Sequence, residues 1–405
     1  MGLSLRRYSK IALFNLLIVS FIGLVLRYKI AFFLPFIDQS HLLHSHSHFA
    51  FTGWITHVLI ILLVAFMAAQ KGEEVLKKYR WVINANLITA YGMLISFPLQ
   101  GYGLISISFS TLSVVVSYVF VVMYWKDLNS LPLKKVSHWW IKAALFFNAL
   151  SSAGTFFLAF MMVTKSMHQN WSLASVYFYL HFQYNGWFLF TCLGLATEKL
   201  FINVPTQILK KIFWLFAGAC IPAYLLSALW LPIPVWLYIL VVLAAFSQLG
   251  GWIFFVREAK KQLSIIKGSL NKIVQLLLLF SSIAFSIKLL LQLGSTIPSL
   301  STHAFGFHPI VIGYLHLVLL GVITLFLLGY MIIEKQILLN SKTLAGIKIF
   351  PAGIIINEVL LMTQGAAAIS NITIQFINEL LFITACALFS GIFLLNLSQQ
   401  YAPNK

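Results

Sequence analysis

The chain has 405 residues, of which 60% are hydrophobic and 9% charged, and its formal net charge is +18 at pH 7. A soluble domain carries about 25% charged residues, so this composition excludes a chain that could cover itself with polar surface in water. The positive charge does not indicate a nucleic-acid partner, because the Lys and Arg residues are sorted to one set of ends of apolar runs. The lipid bilayer is the partner that the composition predicts.

Apolar runs of about twenty residues recur along the chain, and each is long enough to cross a hydrocarbon layer of ~30 Å as a helix. The sequence therefore predicts an all-α, polytopic integral membrane protein with about twelve transmembrane helices. The predicted spans are 11–34, 46–70, 80–99, 102–125, 139–163, 173–198, 210–230, 233–256, 270–293, 308–333, 347–369 and 375–397.

The first apolar run, 11–26, is followed by Arg27 and Lys29 without a small-residue cleavage site, which indicates a first span and not a signal peptide. Most of the basic residues lie at the ends of spans that would face the side of the N-terminus. Basic loops stay in the cytoplasm, so the pattern predicts that both termini are cytoplasmic. Two termini on the same side require an even number of spans. A bacterial inner membrane is the expected location.

A histidine segment recurs three times. It reads H-F-A-F-T-G-W at 48–54, H-F-Q-Y-N-G-W at 181–187 and H-L-V-L-L-G at 316–321. The first two histidines are 133 residues apart and the next two are 135 apart, each close to one third of the chain. A fixed period of this kind is the sequence signature of internal repeats. We therefore expect one membrane domain, 1–405, built from three pseudo-symmetric four-helix units, approximately 1–135, 136–270 and 271–405.

The three repeated histidines fall on the second, sixth and tenth predicted spans. All three spans run from outside to inside in this topology, which places His48, His181 and His316 in the outer part of the membrane. An ionisable residue is costly in a span and usually faces an interior site. Imidazole is a ligand for iron, copper and zinc, and haem takes one or two axial histidines. The pattern predicts that these histidines hold haem or another metal.

Further histidines lie at the outer ends of two of these spans. His44 and His48 are four residues apart and share a helix face, whereas His46 points elsewhere. His41, His44 and His46 extend the metal site, form a separate entry site for copper or zinc, or simply begin a solvated helix; the sequence leaves these alternatives open. His308, at the start of the tenth span, is a further candidate ligand.

Glu358 lies near the middle of the eleventh predicted span, next to Asn357. A carboxyl group at that depth is a candidate proton carrier toward an interior site. The alternative is a structural hydrogen bond to a neighbouring helix, and the sequence does not decide between the two.

Twelve spans in three four-helix arcs, with histidines on the second, sixth and tenth, resemble subunit I of the haem–copper oxidase superfamily, which includes the large subunit of the nitric oxide reductases. The resemblance implies that His48 and His316 are axial ligands of a haem, b-type by the same likeness. It implies that His181 is a ligand of copper or non-haem iron. The stretch after His181 is similar to the reductase pattern His-x-x-x-Glu-Gly, with Asn185 in place of the Glu.

The chain departs from that family at the active-site ligands. The predicted seventh span, 210–230, contains no histidine pair, and Tyr314 stands where the tenth span of the family has a second histidine. The expected relative is therefore divergent and lacks the full ligand set of a binuclear centre. By analogy, the chain is similar in size and in its histidine-bearing spans to the haem- and copper-containing membrane proteins linked to nitric oxide stress. Whether the chain is an oxidoreductase is left open.

The function that these observations predict is haem binding for electron transfer or for diatomic-gas chemistry, with nitric oxide or oxygen as the gas. A quinol or a cytochrome would deliver the electrons. The alternative is a transporter or metal-uptake protein that uses the outer histidine cluster, since internal repeats also occur in transporters. A third alternative is a non-catalytic assembly factor, and the sequence does not indicate an oligomeric state.

Overall fold

The computed structural model describes residues 3–201, 203–262, 264, 268, 270–300 and 308–400. Within these residues the protein is helical and contains no strand, which confirms the predicted all-α class. Ten helices in the described part of the chain are long and apolar enough to cross a membrane. These findings support the prediction of an integral membrane protein.

The helices follow the apolar runs, and three of them contain a π-helical segment. In chain order the elements are α1 Leu3–Ala31, α2 Gln39–Phe49, π1 Ala50–Thr56, α3 His57–Lys71, α4 Glu74–Gln100, α5 Leu104–Asn129, α6 Val136–Val163, α7 Gln169–His181, π2 Phe182–Phe188, α8 Leu189–Leu200, α9 Thr206–Cys220, a 3₁₀ turn Pro222–Ser227, α10 Val235–Lys261, α11 Lys272–Gly294, α12 His308–His316, π3 Leu317–Thr324, α13 Leu325–Ile333, α14 Ser341–Ile369 and α15 Ile377–Gln400.

The helices at the sixth and seventh predicted spans are not among the ten. The sixth is continuous through α7, π2 and α8, but polar residues such as Gln183 and Asn185 lower its apolar character. In the seventh, α9 has 15 residues, which at 1.5 Å per residue is about 22 Å. Pro222 then begins a 3₁₀ turn, because proline cannot continue the hydrogen-bonding pattern of the helix.

The structure divides into two compact units. Unit 1 comprises Met1–Phe120, Ile273–Phe280 and Thr324–Lys405, and unit 2 comprises Val121–Lys272 and Ser281–Ile323. Neither set of boundaries coincides with the three predicted repeats.

In unit 1, α14 and α15 pack against each other along glycines. A Cβ at Gly346 would lie 2.5 Å from the backbone oxygen of Gly391, so the two backbones touch at this point and only glycine fits. α15 also packs on α1, where Asn396 donates a hydrogen bond to the backbone oxygen of Leu13 at 2.9 Å. These contacts hold the first and last helices of the chain together.

In unit 2, α6 is the central helix and packs against α7, π2 and α8. Its contact with α7 is close because a Cβ at Gly154 would lie 2.5 Å from the backbone oxygen of Ser175. α9 packs against α10 around small buried residues such as Ala219 and Ala244. Short side chains at these crossings let helices approach closely where there is no hydrophobic driving force from water.

Candidate functional site

Each of the three repeated histidines is followed at once by a π-helical segment. π1 begins two residues after His48, π2 one residue after His181, and π3 one residue after His316. The first residues of π1 and π2 are 132 positions apart and those of π2 and π3 are 135 apart. A π segment is a rare helical geometry that is frequently found at functional sites. The sequence repeat therefore coincides with a repeated structural irregularity.

A π segment widens the helix by one residue per turn and leaves backbone oxygens without regular helical donors, so other groups must satisfy them. In π1, Asn15 from α1 donates to the backbone oxygen of Gly53 at 2.6 Å, and Asn86 from α4 donates to that of Thr52 at 3.2 Å. Tyr91 in turn donates to the side-chain oxygen of Asn15 at 2.6 Å. Polar side chains on the neighbouring helices thus fix π1.

The other two π segments have comparable supports. In unit 2, Ser281 donates to the backbone oxygen of Val322 in π3 at 2.7 Å. Gln183, in π2, donates to the side chains of Asn148 and Ser151 on α6 at 3.1 and 2.8 Å. In unit 1, the indole N–H of Trp54 in π1 donates to the hydroxyl of Thr324, the last residue of π3, at 3.0 Å.

The glycine that follows each histidine by five residues lies inside its π segment. A Cβ at Gly186 would lie 2.5 Å from Cβ of Phe147 on α6, so the repeated glycine allows close packing of π2 against that helix. The next residue, Trp187, is fully buried, as is the equivalent Trp54 in π1. The first two repeated segments are therefore tightly packed against their neighbours.

His48, in unit 1, lies in a small aromatic site at the end of α4. Its ring stacks on Phe97 with centroids 4.4 Å apart, and its Nε2 is 3.5 Å from the hydroxyl of Tyr102. The ring is half-buried. Aromatic contacts hold the orientation of the His48 ring, and its one hydrogen bond to a described side chain is long, which suits a ligand role.

The other histidines of α2 contact two different parts of unit 1, the turn at Gly101 and Tyr102 and helix α1. His41 and His44 lie on the same side as His48. His44 contacts Tyr102 edge-on with centroids 4.5 Å apart, and a Cβ at Gly101 would clash with Nε2 of His41. The ring of His46 instead packs against Gly23 of α1. The structure thus keeps the predicted sharing of a face by His44 and His48, with His46 elsewhere.

Two residues near the N-terminal half of α2, Asp38 and Tyr102, have shifted pKa values. Asp38, the N-cap, accepts the backbone N–H of His41 at 2.8 Å, and chiefly for that reason its pKa is lowered from the ordinary value. Burial raises the pKa of Tyr102, whose hydroxyl faces His48. Asp38 therefore stays ionised and Tyr102 stays a neutral hydroxyl near neutral pH.

His181, in unit 2, is fully buried and both of its ring nitrogens are hydrogen-bonded. Nε2 donates to the backbone oxygen of Cys220 at 2.8 Å, and Nδ1 accepts from the side-chain amide of Asn185 at 3.1 Å. A carbonyl oxygen only accepts, so the proton is on Nε2 and the ring is neutral. No lone pair is left for a metal in this arrangement, and the copper or non-haem iron predicted at His181 does not fit it.

The backbone oxygen of Cys220, which accepts from His181, loses its regular helical donor because α9 ends at this residue. A regular helix would pair the oxygen of Cys220 with the N–H of Tyr224, but that N–H bonds to the oxygen of Ile221 at 3.1 Å in the 3₁₀ turn. A buried carbonyl without a donor is costly, and the imidazole supplies one. Sequence reasoning missed this role because the partners are 39 residues apart.

His316, in unit 2, is the last residue of α12. Its Nδ1 donates to the backbone oxygen of Ile312 at 2.8 Å, so Nδ1 carries the proton and Nε2 carries the lone pair. Metal-binding histidines commonly hold their second nitrogen in this way, since the hydrogen bond fixes the tautomer and the ring orientation. The hydrogen bond on Nδ1 therefore gives His316 the tautomer of a ligand that binds iron through Nε2. His308 begins α12, and its side chain lies outside the described residues.

Glu358, in unit 1, lies at the centre of α14. One carboxylate oxygen accepts from the adjacent Asn357 at 3.2 Å, and the other is buried without a hydrogen-bond partner among the described residues. The charge that acts on it most directly is that of Arg27 on α1. The geometry leaves both predicted roles, proton carrier and structural acceptor, open.

The described residues contain no group of three or more His, Cys, Asp or Glu side chains placed to bind a metal ion. A haem differs from such a site because its porphyrin holds the iron and the protein adds only one or two axial ligands.

One residue that the sequence reading passed over is Lys288 on α11. It is 1% exposed, although it lies inside an apolar span. No sequence signal distinguishes it from an interfacial lysine that extends its ammonium to water, because its burial depends on packing of helices distant in sequence.

Sequence comparison adds no relative. No model of a known protein family matches the chain, and the comparison with curated proteins gives no match.

Proposed function

We propose that the chain is a haem-binding integral membrane protein of the haem–copper oxidase subunit I type, which serves electron transfer or the chemistry of nitric oxide or oxygen. The observation that carries the proposal is the threefold recurrence of a membrane histidine followed directly by a π segment. Three equivalent irregularities at one period support the three four-helix units. Twelve spans with both termini in the cytoplasm of a bacterial cell belong to the same proposal and rest on the placement of the apolar runs and the basic residues.

His48 in unit 1 and His316 in unit 2 are each a proposed ligand of haem iron through one imidazole nitrogen. The fixed Nδ1 proton of His316 and the stacking of His48 on Phe97 support this assignment. When bound, haem iron exchanges one electron and binds diatomic gases. The chain itself contributes ring orientation, a low-dielectric surrounding and exclusion of water, which tune the affinity and the reduction potential of such an iron.

His181 has a positioning role in this proposal. It joins π2 to the end of α9 through Cys220 and holds Asn185, so it keeps the second repeat in shape. A second metal at His181 would require the ring to give up one of these hydrogen bonds. We therefore propose haem without a complete binuclear centre.

The test is haem titration of the purified apoprotein with three matched alanine variants. His48→Ala and His316→Ala each remove one proposed ligand, and His168→Ala removes an exposed histidine outside the three repeated histidine segments. We expect either ligand variant to weaken haem binding or to convert the low-spin spectrum to high-spin, and His168→Ala to behave as the unchanged chain. Identical titrations and spectra for all three variants would refute the assignment.

A triple variant distinguishes the haem-binding proposal from the alternative of metal uptake. Replacing His41, His44 and His46 by alanine should leave the haem spectrum unchanged if the proposal is correct. Loss of copper or zinc uptake into proteoliposomes in the same triple variant, with no haem in the unchanged chain, would favour a transporter.

A further inference from the structure

Two neighbouring helices of unit 2, α9 and α10, bring basic side chains together at one end. Lys210 and Lys211 lie near the start of α9, and Arg257 lies near the end of α10. The two helices pack together, and Ser247 of α10 donates to the backbone oxygen of Leu215 in α9 at 2.8 Å. All three basic side chains are exposed, so their charged groups are available to a ligand.

One aromatic ring holds two of these cations. The ammonium of Lys211 lies 4.3 Å from the centroid of the Phe254 ring, and the guanidinium carbon of Arg257 lies 5.9 Å from the same centroid. The face of an aromatic ring attracts a cation, so Phe254 keeps charges from two helices close to one another. Two neighbouring positive charges repel, and an anion that contacts both relieves the repulsion.

The positive charge of this cluster exceeds the negative charge near it. Lys210 and Lys211 form no ion pair with any residue in the described part of the chain. Glu258 is buried, and its Oε1 lies 2.7 Å from Nζ of Lys261 and 3.6 Å from Nε of Arg257. One shared carboxylate cannot neutralise four basic groups, so the cluster attracts anions.

Beyond the cations, each helix continues with an exposed apolar face. On α9 the face contains Trp214 and Ile221, and on α10 it contains Phe246 and Ile253. The aromatic and the aliphatic residue are seven positions apart on each helix, which places them on the same side two turns apart. Both faces are suited to contact with hydrocarbon chains in a membrane.

A glycine interrupts each of these faces at the same point. Gly218 lies four residues after Trp214, and Gly250 lies four residues after Phe246. A Cβ at either glycine would meet nothing within 4 Å, so each face has open space between its large side chains. A narrow, flexible apolar chain fits such a space.

The cations and the apolar faces together indicate an amphiphilic ligand with an anionic head. Basic clusters between helices near the membrane surface bind the phosphate of anionic lipids, and indole rings lie at the level of the head groups. Trp214 is 61% exposed and its ring lies 6.3 Å from that of Trp139, whose face holds Lys210 at 5.2 Å. The indoles therefore lie where the charged and apolar parts of the surface meet.

We propose that α9 and α10 form a binding site for an anionic phospholipid. Lys211 and Arg257 bind the phosphodiester, Lys210 adds positive charge beside it, and the acyl chains lie along the faces that contain Gly218 and Gly250. The site is independent of haem, since none of its residues is a proposed iron ligand.

The test is lipid titration of the full chain in neutral detergent, followed by native mass spectrometry, with dioleoylphosphatidylglycerol and dioleoylphosphatidylcholine as probes. We expect the unchanged chain to bind the anionic lipid about tenfold more tightly or better. The double variant Lys211→Gln with Arg257→Gln should remove this preference. The matched control, Arg80→Gln with Lys348→Gln, removes the same charges from exposed helical positions of unit 1 and should retain it.

The single variants Lys211→Gln and Arg257→Gln replace the double variant if it does not fold, and each should weaken the preference, whereas Arg257→Lys should keep most of it. Equal affinity of the unchanged chain for the two lipids would overturn the proposal, as would an undiminished preference in a folded variant without Lys211 or Arg257. An equal loss in the control would show attraction by net charge alone and would also overturn it.

A competition experiment tests the apolar half of the site. Glycerol phosphate carries a phosphate head without acyl chains, and it should not displace the anionic lipid at equal concentration. Displacement by glycerol phosphate as effective as by the lipid itself would show a site for small phosphates and would contradict lipid binding.

Discussion

The Nε2–H of His181 donates to the backbone oxygen of Cys220 at 2.8 Å, which joins the start of π2 to the end of α9. This hydrogen bond pairs two irregularities: a histidine at the junction of an α and a π segment, and a carbonyl released where an α-helix tightens into a 3₁₀ turn. Asn185 holds the other face of the same ring. The second repeat is therefore organised by its histidine.

His181→Ala should destabilise the protein without loss of haem. The change leaves the Cys220 oxygen and the Asn185 amide unsatisfied and opens a cavity, and each buried unsatisfied group costs about 1–3 kcal/mol. Thermal unfolding followed by tryptophan fluorescence measures the effect, with His168→Ala as the exposed control. An unchanged midpoint would contradict the structural role, and loss of the haem spectrum in a folded variant would restore the ligand role.

Asn15→Leu should destabilise π1. The variant removes the donor to the buried Gly53 oxygen, which is left unsatisfied at a cost of about 1–3 kcal/mol, and also the acceptor of the half-buried Tyr91 hydroxyl. Chemical denaturation in detergent measures the change, and Asn170→Leu, at an exposed position of α7, is the control. Equal denaturation midpoints for the two variants would show that π1 does not depend on this support.

Glycine substitutions should have opposite signs at two positions in unit 2. Gly186→Ala places a Cβ 2.5 Å from Cβ of Phe147, and overpacking of this kind costs about 1–3 kcal/mol. Gly218→Ala, in α9, meets nothing within 4 Å and should stabilise the helix by about 0.5–1 kcal/mol. The ordering of the two unfolding midpoints is the measurement, and the reverse ordering would contradict the packing of π2 on α6.

The helix cap at Asp38 should make α2 sensitive to acid. The pKa of Asp38 is lowered in the folded protein, mainly by the N–H of His41, so its stabilisation is fully present above the unfolded value of about 3.9 and is lost as pH falls through the folded value. The destabilisation caused by Asp38→Ala should therefore be larger at pH 7 than at pH 3. A pH-independent difference between the two proteins would exclude the charged cap.

The sequence predicts the helices well, because apolar runs and their polar ends determine where a membrane helix lies. It does not predict the π segments, because one extra residue in a helical turn does not change the hydropathy pattern. The repeated histidines nevertheless lie just before the π segments, and the repeated glycines lie within them. The number of spans is harder to predict from the sequence. Polar residues in α7–α8 and the break at Pro222 make these two segments less apolar or shorter than the other spans.

Individual side-chain roles depended on contacts that sequence order does not contain. His48 and His316 have surroundings that suit the predicted ligand role, whereas His181 is occupied by a carbonyl 39 residues away. Lys288 was missed because the sequence shows an interfacial basic residue and the structure buries it. In each case the deciding partner lies on a helix distant along the chain.

The most direct test of the central claim is the absorption spectrum of the purified chain, expressed with haem supplied, in the oxidised and dithionite-reduced states. Haem held by histidine predicts a Soret band with sharp α and β bands on reduction, and a pyridine haemochrome of b-type. A well-folded protein with no visible absorption would contradict the haem-binding function.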